Sequence, residues 1–276
     1  MDKPKPLYRS LFLSDLHLGL EESRPTLLNR FLKAHKAANL YLVGDIVDTW
    51  QLRRSWYWPN AYNTLLRRLI KISRKRRVVF TPGNHDAAFK ALAGLHFGRI
   101  RILREAVHTT AEGRKLLVCH GDIFDDAMHN KALFVQLGYN MVMRLCGVFN
   151  WLRRLFGARS HWSLSNFVAK RVANNKAYIE KFEHLLAEHA RHKGVDGVVC
   201  GHIHLPGIRR FPDGLTYYNC GDWVDHMTVL AEHWDGRFEL IDAADESLWP
   251  RSRQQTAGPT ASVLDRWQAR RFQQRV

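Results

Sequence analysis

The sequence is poor in cysteine, in acidic side chains and in long apolar runs. Its four cysteines, at 119, 146, 200 and 220, are widely spaced and form no CxxC pair. That spacing argues against a disulfide framework or a zinc ribbon and suits a reducing compartment. No run approaches the ~18 consecutive apolar residues of a membrane span, and the N-terminal stretch lacks the apolar region of a secretory signal. We therefore expect a cytoplasmic protein.

The shortage of acidic residues leaves a strongly basic chain. Lys and Arg number 42 against 26 Asp and Glu, so the formal net charge is +16 over 276 residues. Such a charge favours anionic partners, namely nucleic acid, anionic lipid headgroups or phosphorylated small molecules. Hydrophobic residues make up 46% of the chain and charged residues 25%, which is ordinary for a globular protein and excludes disorder for the bulk of the chain.

Five short apolar runs each end in a polar cluster. The runs begin at Leu11, Leu40, Val78, Leu116 and Val198 and have the continuous apolar character of buried strands. The clusters that follow are Ser14-Asp15-Leu16-His17, Gly44-Asp45, Pro82-Gly83-Asn84-His85-Asp86, His120-Gly121-Asp122 and Gly201-His202-Ile203-His204. Sites in α/β sheets form at the carboxyl ends of strands, so we expect these side chains to meet.

Helical patterns separate the first three runs, at 26–38 and 59–75, so the chain opens in the order β-α-β-α-β. Later strand-like pieces at 216–219, 226–232 and 237–241 predict an antiparallel end to the sheet, with a hairpin turn at Asp235-Gly236.

The segment 127–193 differs from the rest in composition and period. It has helical periodicity, many apolar residues, and 11 Lys and Arg against 3 acids. It therefore predicts a helical insertion, or cap, after the fourth cluster. We expect one α/β domain over 1–245 that contains this cap, followed by a basic, mobile tail over 246–276.

The residue types in the five clusters suit a two-metal site. Such sites hold ions ~3.5–4 Å apart, which clamp a phosphoryl group. Oxygen and nitrogen ligands without thiolate suit Mn, Fe or Zn better than a structural zinc finger. Asp15 and His17 lie one residue apart, so both can point inward, and Asp45 has two oxygens with which to bridge two ions.

Together the clusters resemble the signature of the calcineurin-like metallophosphoesterases over about residues 10–205. This resemblance implies an α/β sandwich of two β-sheets flanked by helices, with two divalent ions, Mn²⁺ expected and Fe or Zn as alternatives. It implies that one ion is held by Asp15, His17, Asp45 and His204 and the other by Asp45, Asn84, His120 and His202. His85 would face the substrate phosphate, and Asp48 would orient His85. Asp48 can alternatively cap the helix that follows it.

Within the family, the chain is most similar to the lipid A branch, whose members hydrolyse UDP-2,3-diacylglucosamine. The stretch 40–50, the insertion after His120, and Pro206 followed by Gly221-Asp222-Trp223 carry this similarity. It implies that a metal-bridging hydroxide cleaves the pyrophosphate into UMP and 2,3-diacylglucosamine 1-phosphate.

The same similarity implies the partners and the location. The partners would be an acylated nucleotide sugar and an anionic membrane surface, and no protein partner is expected. The protein would be cytoplasmic or peripheral on the inner face of the cytoplasmic membrane. In this branch a Ser and basic residues of the insertion contact the substrate, which points to Ser163 and Lys170.

One departure keeps other phosphoesters open as substrates. The lipid A branch typically has Arg where this chain has His85, the general residue of the family. A paralogue acting on a related phosphoester is therefore one alternative. A nuclease or general phosphodiesterase is another, favoured by the +16 charge, although no aromatic stacking platform lies among the basic residues, so nucleic acid ranks lower as a partner. A scaffold without catalysis is disfavoured because every ligand position holds a competent residue.

Overall fold

The structure, a computed structural model, describes residues 7–125 and 176–249. The α-helices in these ranges are α1 (Pro25–Ala34), α2 (Thr49–Arg54), α3 (Asn60–Ser73) and α4 (Lys176–His192). The strands there are β1 (Tyr8–Leu13), β2 (Ala37–Val43), β3 (Arg77–Thr81), β4 (His96–Phe97), β5 (Ile100–Ile102), β6 (Ala106–Thr109), β7 (Lys115–Val118), β8 (Gly197–Cys200), β9 (Gly207–Arg210), β10 (Thr216–Asn219), β11 (Thr228–Glu232) and β12 (Phe238–Asp242).

The chain divides into two compact units, 1–122 together with 189–276, and 123–188. The larger unit contains both β-sheets. The first has the order β12-β11-β1-β2-β3-β5-β4, and its strands β1, β2, β3 and β5 are parallel. The second has the order β6-β7-β8-β10-β9, with β7, β8 and β10 parallel. The predicted sandwich of two sheets is therefore confirmed.

Two apolar clusters hold the sheets and helices together. They lie on opposite faces of the first sheet, because successive side chains of a strand point to opposite faces. Phe12 and Val79 of the first sheet pack in one cluster with Leu116 and Val199 of the second sheet. On the opposite face, residues of β1, β2 and β3 pack with apolar side chains of α1 and α3, among them Phe31. Strands β1, β2 and β3 of the first sheet are thus buried on both faces, which explains the continuous apolar runs.

The predicted order β-α-β-α-β is confirmed except that a short additional helix, α2, precedes α3. The antiparallel hairpin of β11 and β12 around Asp235-Gly236 is also confirmed. The strand predicted at 216–219 is present as β10, but its predicted place beside β11 and β12 was wrong. β10 lies in the second sheet, where it pairs in parallel with β8 and antiparallel with β9. All four of its residues are buried, a pattern typical of an inner strand that a local sequence pattern cannot assign to one sheet or the other.

Parts of the predicted insertion and tail lie outside the described residues. Of the cap predicted at 127–193, the described part is mainly α4. At the start of the predicted tail, Glu246–Leu248 form a 3-10 helix, and the Trp249 ring centroid lies 5.8 Å from that of Phe31. Of the helices in the described ranges, none has both the length and the apolar character needed to cross a membrane.

A buried polar network links the two sheets near the start of β1. The Glu232 carboxylate of β11 accepts hydrogen bonds from Arg9 Nη1 at 3.0 Å and from Ser10 Oγ at 2.7 Å. His108 Nε2, on β6 of the second sheet, lies 2.8 Å from Glu232 Oε2. Burial alone would raise the pKa of Glu232, but hydrogen bonds from His108 and Ser10 hold that pKa below its ordinary value. The carboxylate therefore keeps its charge although the residue is fully buried.

We predict that Glu232→Gln lowers the free energy of unfolding by about 3 kcal/mol at neutral pH, because breaking a buried ion pair leaves its partners uncompensated. A carboxyl group whose pKa is lower in the folded state stabilises the fold at pH values above its unfolded pKa, which is about 4.3 for Glu. This stabilisation is lost as the pH falls. The difference between wild type and variant should therefore shrink below about pH 4. Urea unfolding of both proteins at several pH values measures this difference in the free energy of unfolding. The exposed Glu112→Gln is the control, and an equal loss in both variants would contradict the prediction.

Candidate metal centre

The polar clusters after β1, β2, β3, β7 and β8 come together in the larger unit, as the sequence predicted. His17 Nε2 lies 3.1 Å from His204 Nε2, although 187 residues separate them. His120 Nε2 lies 3.2 Å from Asp45 Oδ2, and the ring centroids of His120 and His202 are 5.2 Å apart. Parallel strands that end at one edge of each sheet bring these distant segments to one place.

Within the described ranges, three sets of His and Asp side chains have donor atoms close enough to hold a metal ion. The sets are Asp15, His17 and His204; Asp15, Asp45 and His120; and His17, Asp48 and His85. Asp45 Oδ2 also lies 3.9 Å from His17 Nε2. Asp45 is therefore within reach of imidazoles from both predicted ligand groups, which is the position that a bridging carboxylate requires.

The backbone is strained at these positions. Six non-glycine residues in the described ranges have a left-handed φ. Five of them are predicted ligands, namely Asp15 (55°), His17 (45°), Asp45 (53°), His202 (71°) and His204 (54°). This conformation costs on the order of 1 kcal/mol per residue and persists only where the surrounding structure enforces it. The loops after β1, β2 and β8 therefore orient their side chains in directions that an unstrained turn would not allow.

Hydrogen bonds fix which ring nitrogen of His17 and of His120 faces the site. His120 Nδ1 donates to the Val43 carbonyl oxygen at 2.9 Å. His17 Nδ1 lies 3.0 Å from Asp48 Oδ2. In both residues Nε2 is left to face the aspartates, which is the arrangement of a metal-ligating imidazole held from behind by a carbonyl or a carboxylate.

The buried aspartates give the site a negative potential. Burial alone would lower the pKa of His17, but Asp15 and Asp48 raise this pKa to about 10. Burial likewise opposes the charge on His120, yet Asp45 and Asp15 raise the pKa of His120 well above its ordinary value. A potential that stabilises protonated imidazole in the interior also stabilises a divalent cation there.

The donor atoms themselves fit a divalent ion. Asp15 Oδ1, Asn84 Oδ1 and His120 Nε2 are buried and make no hydrogen bond of acceptable geometry within the described part of the chain. Asp15 Oδ1 faces His204 Nε2 at 3.1 Å and His120 Nε2 faces Asp45 Oδ2 at 3.2 Å, so two of these atoms face other predicted ligands. A buried polar atom without a hydrogen bond costs about 1–3 kcal/mol, so Asn84 Oδ1 indicates a role in binding. Carboxylate oxygen, amide oxygen and imidazole nitrogen together suit Mn, Fe or Zn. The residues present therefore fit the metal centre that the sequence predicts.

Comparisons with known proteins agree with this geometry. The family model described as calcineurin-like phosphoesterase matches residues 8–206. The chain belongs to the calcineurin-like phosphoesterase family.

Named relatives cover most of this phosphoesterase. The UDP-2,3-diacylglucosamine hydrolase of Shewanella sp. (strain MR-4) is 26% identical over 244 residues, which are 83% of this chain and 95% of that one. The enzyme of the same name from Haemophilus influenzae (strain PittGG) is 27% identical over 248 residues, 84% of this chain and 98% of that one. Among solved structures, a novel archaeal phosphodiesterase has a TM-score of 0.45 and 12% identity, covering 84% and 98% of the two chains.

Asp48 of this phosphoesterase has two contacts at once. Its Oδ1 accepts a hydrogen bond from the Gln51 backbone N–H at 2.8 Å and so caps α2. Its Oδ2 lies 2.9 Å from His85 Nδ1 and also contacts His17. Both interpretations of Asp48 from the sequence thus agree with the structure. The His85 side chain is 28% exposed against 4% for Asp48, so His85 is the member of this pair that solvent and substrate can reach.

Trp50 is a site residue that the sequence analysis passed over. Its ring centroid lies 4.5 Å from that of His85, and the residue is 50% exposed. Trp50 therefore forms an aromatic wall beside His85. Its position two residues after Asp48 was the available signal. The predicted substrate residues Ser163 and Lys170 lie outside the described residues.

Glycine makes the convergence of the ligands possible. A Cβ at Gly83 would overlap the Asp45 carboxylate and the His120 ring, and a Cβ at Gly201 would overlap Ser14 and Asp15. These contacts involve groups that have no free space to move into, since Asp45 and His120 are buried.

We predict that Gly83→Ala lowers Mn²⁺ affinity and reduces phosphodiester hydrolysis by about 100-fold, since a displacement of ~1 Å in a catalytic group costs about that much. Isothermal titration with Mn²⁺ and turnover of a chromogenic phosphodiester would measure both effects. Gly207→Ala is the matched control, because the nearest atom to its added Cβ is at 4.0 Å. Unchanged Mn²⁺ affinity in Gly83→Ala would refute the idea that this glycine is required for the convergence.

Proposed function

We propose that this phosphoesterase hydrolyses the pyrophosphate of UDP-2,3-diacylglucosamine and releases UMP and 2,3-diacylglucosamine 1-phosphate. The observation that carries the proposal is a converging set of carboxylate, amide and imidazole donors in a chain that matches 95% of the length of a relative named for hydrolysis of this substrate. The match to the family over 8–206 supports the same class of reaction.

The proposed centre contains two divalent cations, with Mn²⁺ as the first candidate and Fe or Zn as alternatives. One ion would be held by Asp15, His17, Asp45 and His204, and the other by Asp45, Asn84, His120 and His202. The short distances among these donors and the buried Asn84 Oδ1, which has no hydrogen-bond partner in the described part of the chain, support this assignment. When bound, such ions lower the pKa of a coordinated water and withdraw charge from phosphoryl oxygens.

His85 is proposed as the group that meets the substrate phosphate, and Asp48 as the group that orients it. Water adds to the α-phosphorus, and the bond from this phosphorus to the bridging oxygen breaks. His85 gives a proton to the departing β-phosphate oxygen, which becomes part of the sugar 1-phosphate. The exposure of His85 and the 2.9 Å contact from its Nδ1 to buried Asp48 Oδ2 support these roles, because they leave His85 Nε2 directed away from Asp48.

The substrate class also suggests where the protein acts. A diacylated sugar nucleotide resides with its acyl chains in a lipid phase, so we propose a cytoplasmic protein that associates peripherally with the inner face of the cytoplasmic membrane. The formal charge of +16 supports attraction to an anionic surface.

Our first prediction for this activity is rapid release of UMP when the Mn²⁺-loaded protein meets UDP-2,3-diacylglucosamine. Asp45→Asn should slow the release by at least about 100-fold, because this carboxylate is the proposed bridge and each 1.36 kcal/mol lost is a factor of about ten in rate. Chromatographic detection of UMP provides the measurement. Asp235→Asn, an exposed turn residue, should behave as wild type. Equal turnover of an unacylated UDP-sugar would count against the lipid substrate.

A second prediction concerns His85. His85→Asn should lower kcat by about 10² to 10⁴, the usual contribution of a positioned general acid, and should leave Mn²⁺ binding nearly unchanged. Single-turnover kinetics and Mn²⁺ titration separate the two effects. His192→Asn, an exposed histidine of α4, is the control. A parallel loss of Mn²⁺ binding would show that His85 acts through the metal site.

The second candidate function is hydrolysis of nucleic acid or another phosphodiester. The +16 charge favours it, as does histidine at position 85 in place of the arginine typical of the lipid A branch. Salt-sensitive cleavage of DNA or RNA by the Mn²⁺-loaded protein, without release of UMP from the acylated substrate, would favour this alternative.

A further inference from the structure

The open edge of the first sheet carries an exposed apolar segment. Among the described strands, β4 is the terminal strand of its sheet, and its one partner there is β5. Leu92, Leu95 and Phe97, on or just before this strand, are 41%, 58% and 62% exposed. Within 91–99 every residue except Ala93 is exposed. Such a group of large apolar side chains in water is unfavourable for a free monomer and marks an interaction surface.

Basic side chains surround this segment. Arg99 Nη1, at the tip of the β4–β5 hairpin, donates to the Arg74 carbonyl oxygen at 3.0 Å and so joins the hairpin to the residue after α3. Five of the exposed cations in this region are Arg74, Lys75, Arg77, Arg99 and Arg101. Between 67 and 104 the chain has 11 Lys and Arg and a single acid, Asp86, which is buried. These five cations with Leu92, Leu95 and Phe97 are called the β4–β5 edge surface.

The combination of charges and apolar groups selects the kind of partner. A nucleic acid would account for the cations through its phosphates and for Phe97 through base stacking, but not for the exposed aliphatic Leu92 and Leu95. An anionic bilayer accounts for the cations and the apolar side chains, since Lys and Arg bind anionic headgroups while Phe and Leu enter the boundary between headgroups and acyl chains. We infer that the β4–β5 edge surface docks on an anionic phospholipid bilayer.

The inference names the surface for the peripheral membrane association proposed above and rests on that proposal. The 3-10 helix Ala87–Leu92 begins two residues after His85, and its last residue, Leu92, belongs to the surface. At a rise of ~2 Å per residue this helix is about 12 Å long. The docked surface would therefore hold His85 close to headgroups, where the pyrophosphate of an acylated substrate lies.

The test is binding of the full-length protein to sedimented vesicles, measured without substrate. Vesicles of phosphatidylglycerol mixed with phosphatidylcholine are compared with vesicles of phosphatidylcholine alone. The apolar variant is Leu95→Ser with Phe97→Ser, and the charge variant is Arg99→Gln with Arg101→Gln. The matched control is Val107→Ser with Ile208→Ser, which changes two apolar residues of the second sheet that are 48% and 36% exposed.

We expect wild type to bind the anionic vesicles and not the neutral ones. The apolar variant should bind at least tenfold more weakly. The charge variant should bind about 25-fold more weakly, at about fivefold for each cation, and the control should stay within about twofold of wild type. Equal weakening in the apolar variant and the control would overturn the inference. So would a concentration-dependent dimer that the apolar variant abolishes while vesicle binding stays unchanged, because the occupant would then be a second copy of the chain.

Hydrogen exchange of the wild-type protein tests the same surface without any substitution. Vesicle binding should slow exchange in 91–101. Protection confined to other segments would overturn the inference, since the net charge alone can attract the chain to vesicles. Displacement of the protein by duplex DNA, with the same protection of 91–101, would assign the surface to nucleic acid instead. Vesicle binding requires no catalysis, so failure of this test and failure of the proposed activity are distinguishable.

Discussion

The close approach of buried aspartates and histidines at the candidate metal centre is the constraint on which the rest of the structure depends. Asp15, Asp45 and Asp48 are nearly inaccessible to water, and burying charge without compensation is costly. In this structure, histidine nitrogens within 4 Å of aspartate oxygens compensate the buried charge. The compensation works only if the loops that carry these residues are held in place, because the loops after β1, β2 and β8 have a strained backbone at five predicted ligands.

The two-sheet core supplies that rigidity. β1, β2 and β3 are buried on both faces, between the helices and the second sheet. Their ends therefore cannot move independently, and neither can the ends of β7 and β8 across the sandwich. The Glu232 network joins the sheets near the start of β1, whereas the site lies beyond its end. Strain at the site is thus opposed by packing and by hydrogen bonds along the whole length of the same strand.

Charge is distributed according to burial in this phosphoesterase. Acidic groups with large effects on neighbouring pKa values are interior and face the candidate centre, while many of the basic residues are on the surface. A negative interior suits cations, and a positive exterior suits anionic substrates and surfaces. The β4–β5 edge surface adds exposed apolar groups to that exterior, and this addition separates a lipid surface from a nucleic acid as its expected partner.

The sequence by itself determined the family, the order of the first strands and helices, and the identity of the converging polar residues. These features are local, since each ligand directly follows an apolar run and can be found without knowing its partners. Tertiary structure decided what depends on distant segments. Arg9 meets Glu232 across 223 residues, β10 joins the second sheet in parallel, and Trp50 packs beside His85. Leu95 and Phe97 resemble core residues in the sequence, and only the end of the sheet at β4 leaves them in water. Local patterns indicate whether a residue favours burial, but long-range packing determines which neighbours it meets and whether it is buried.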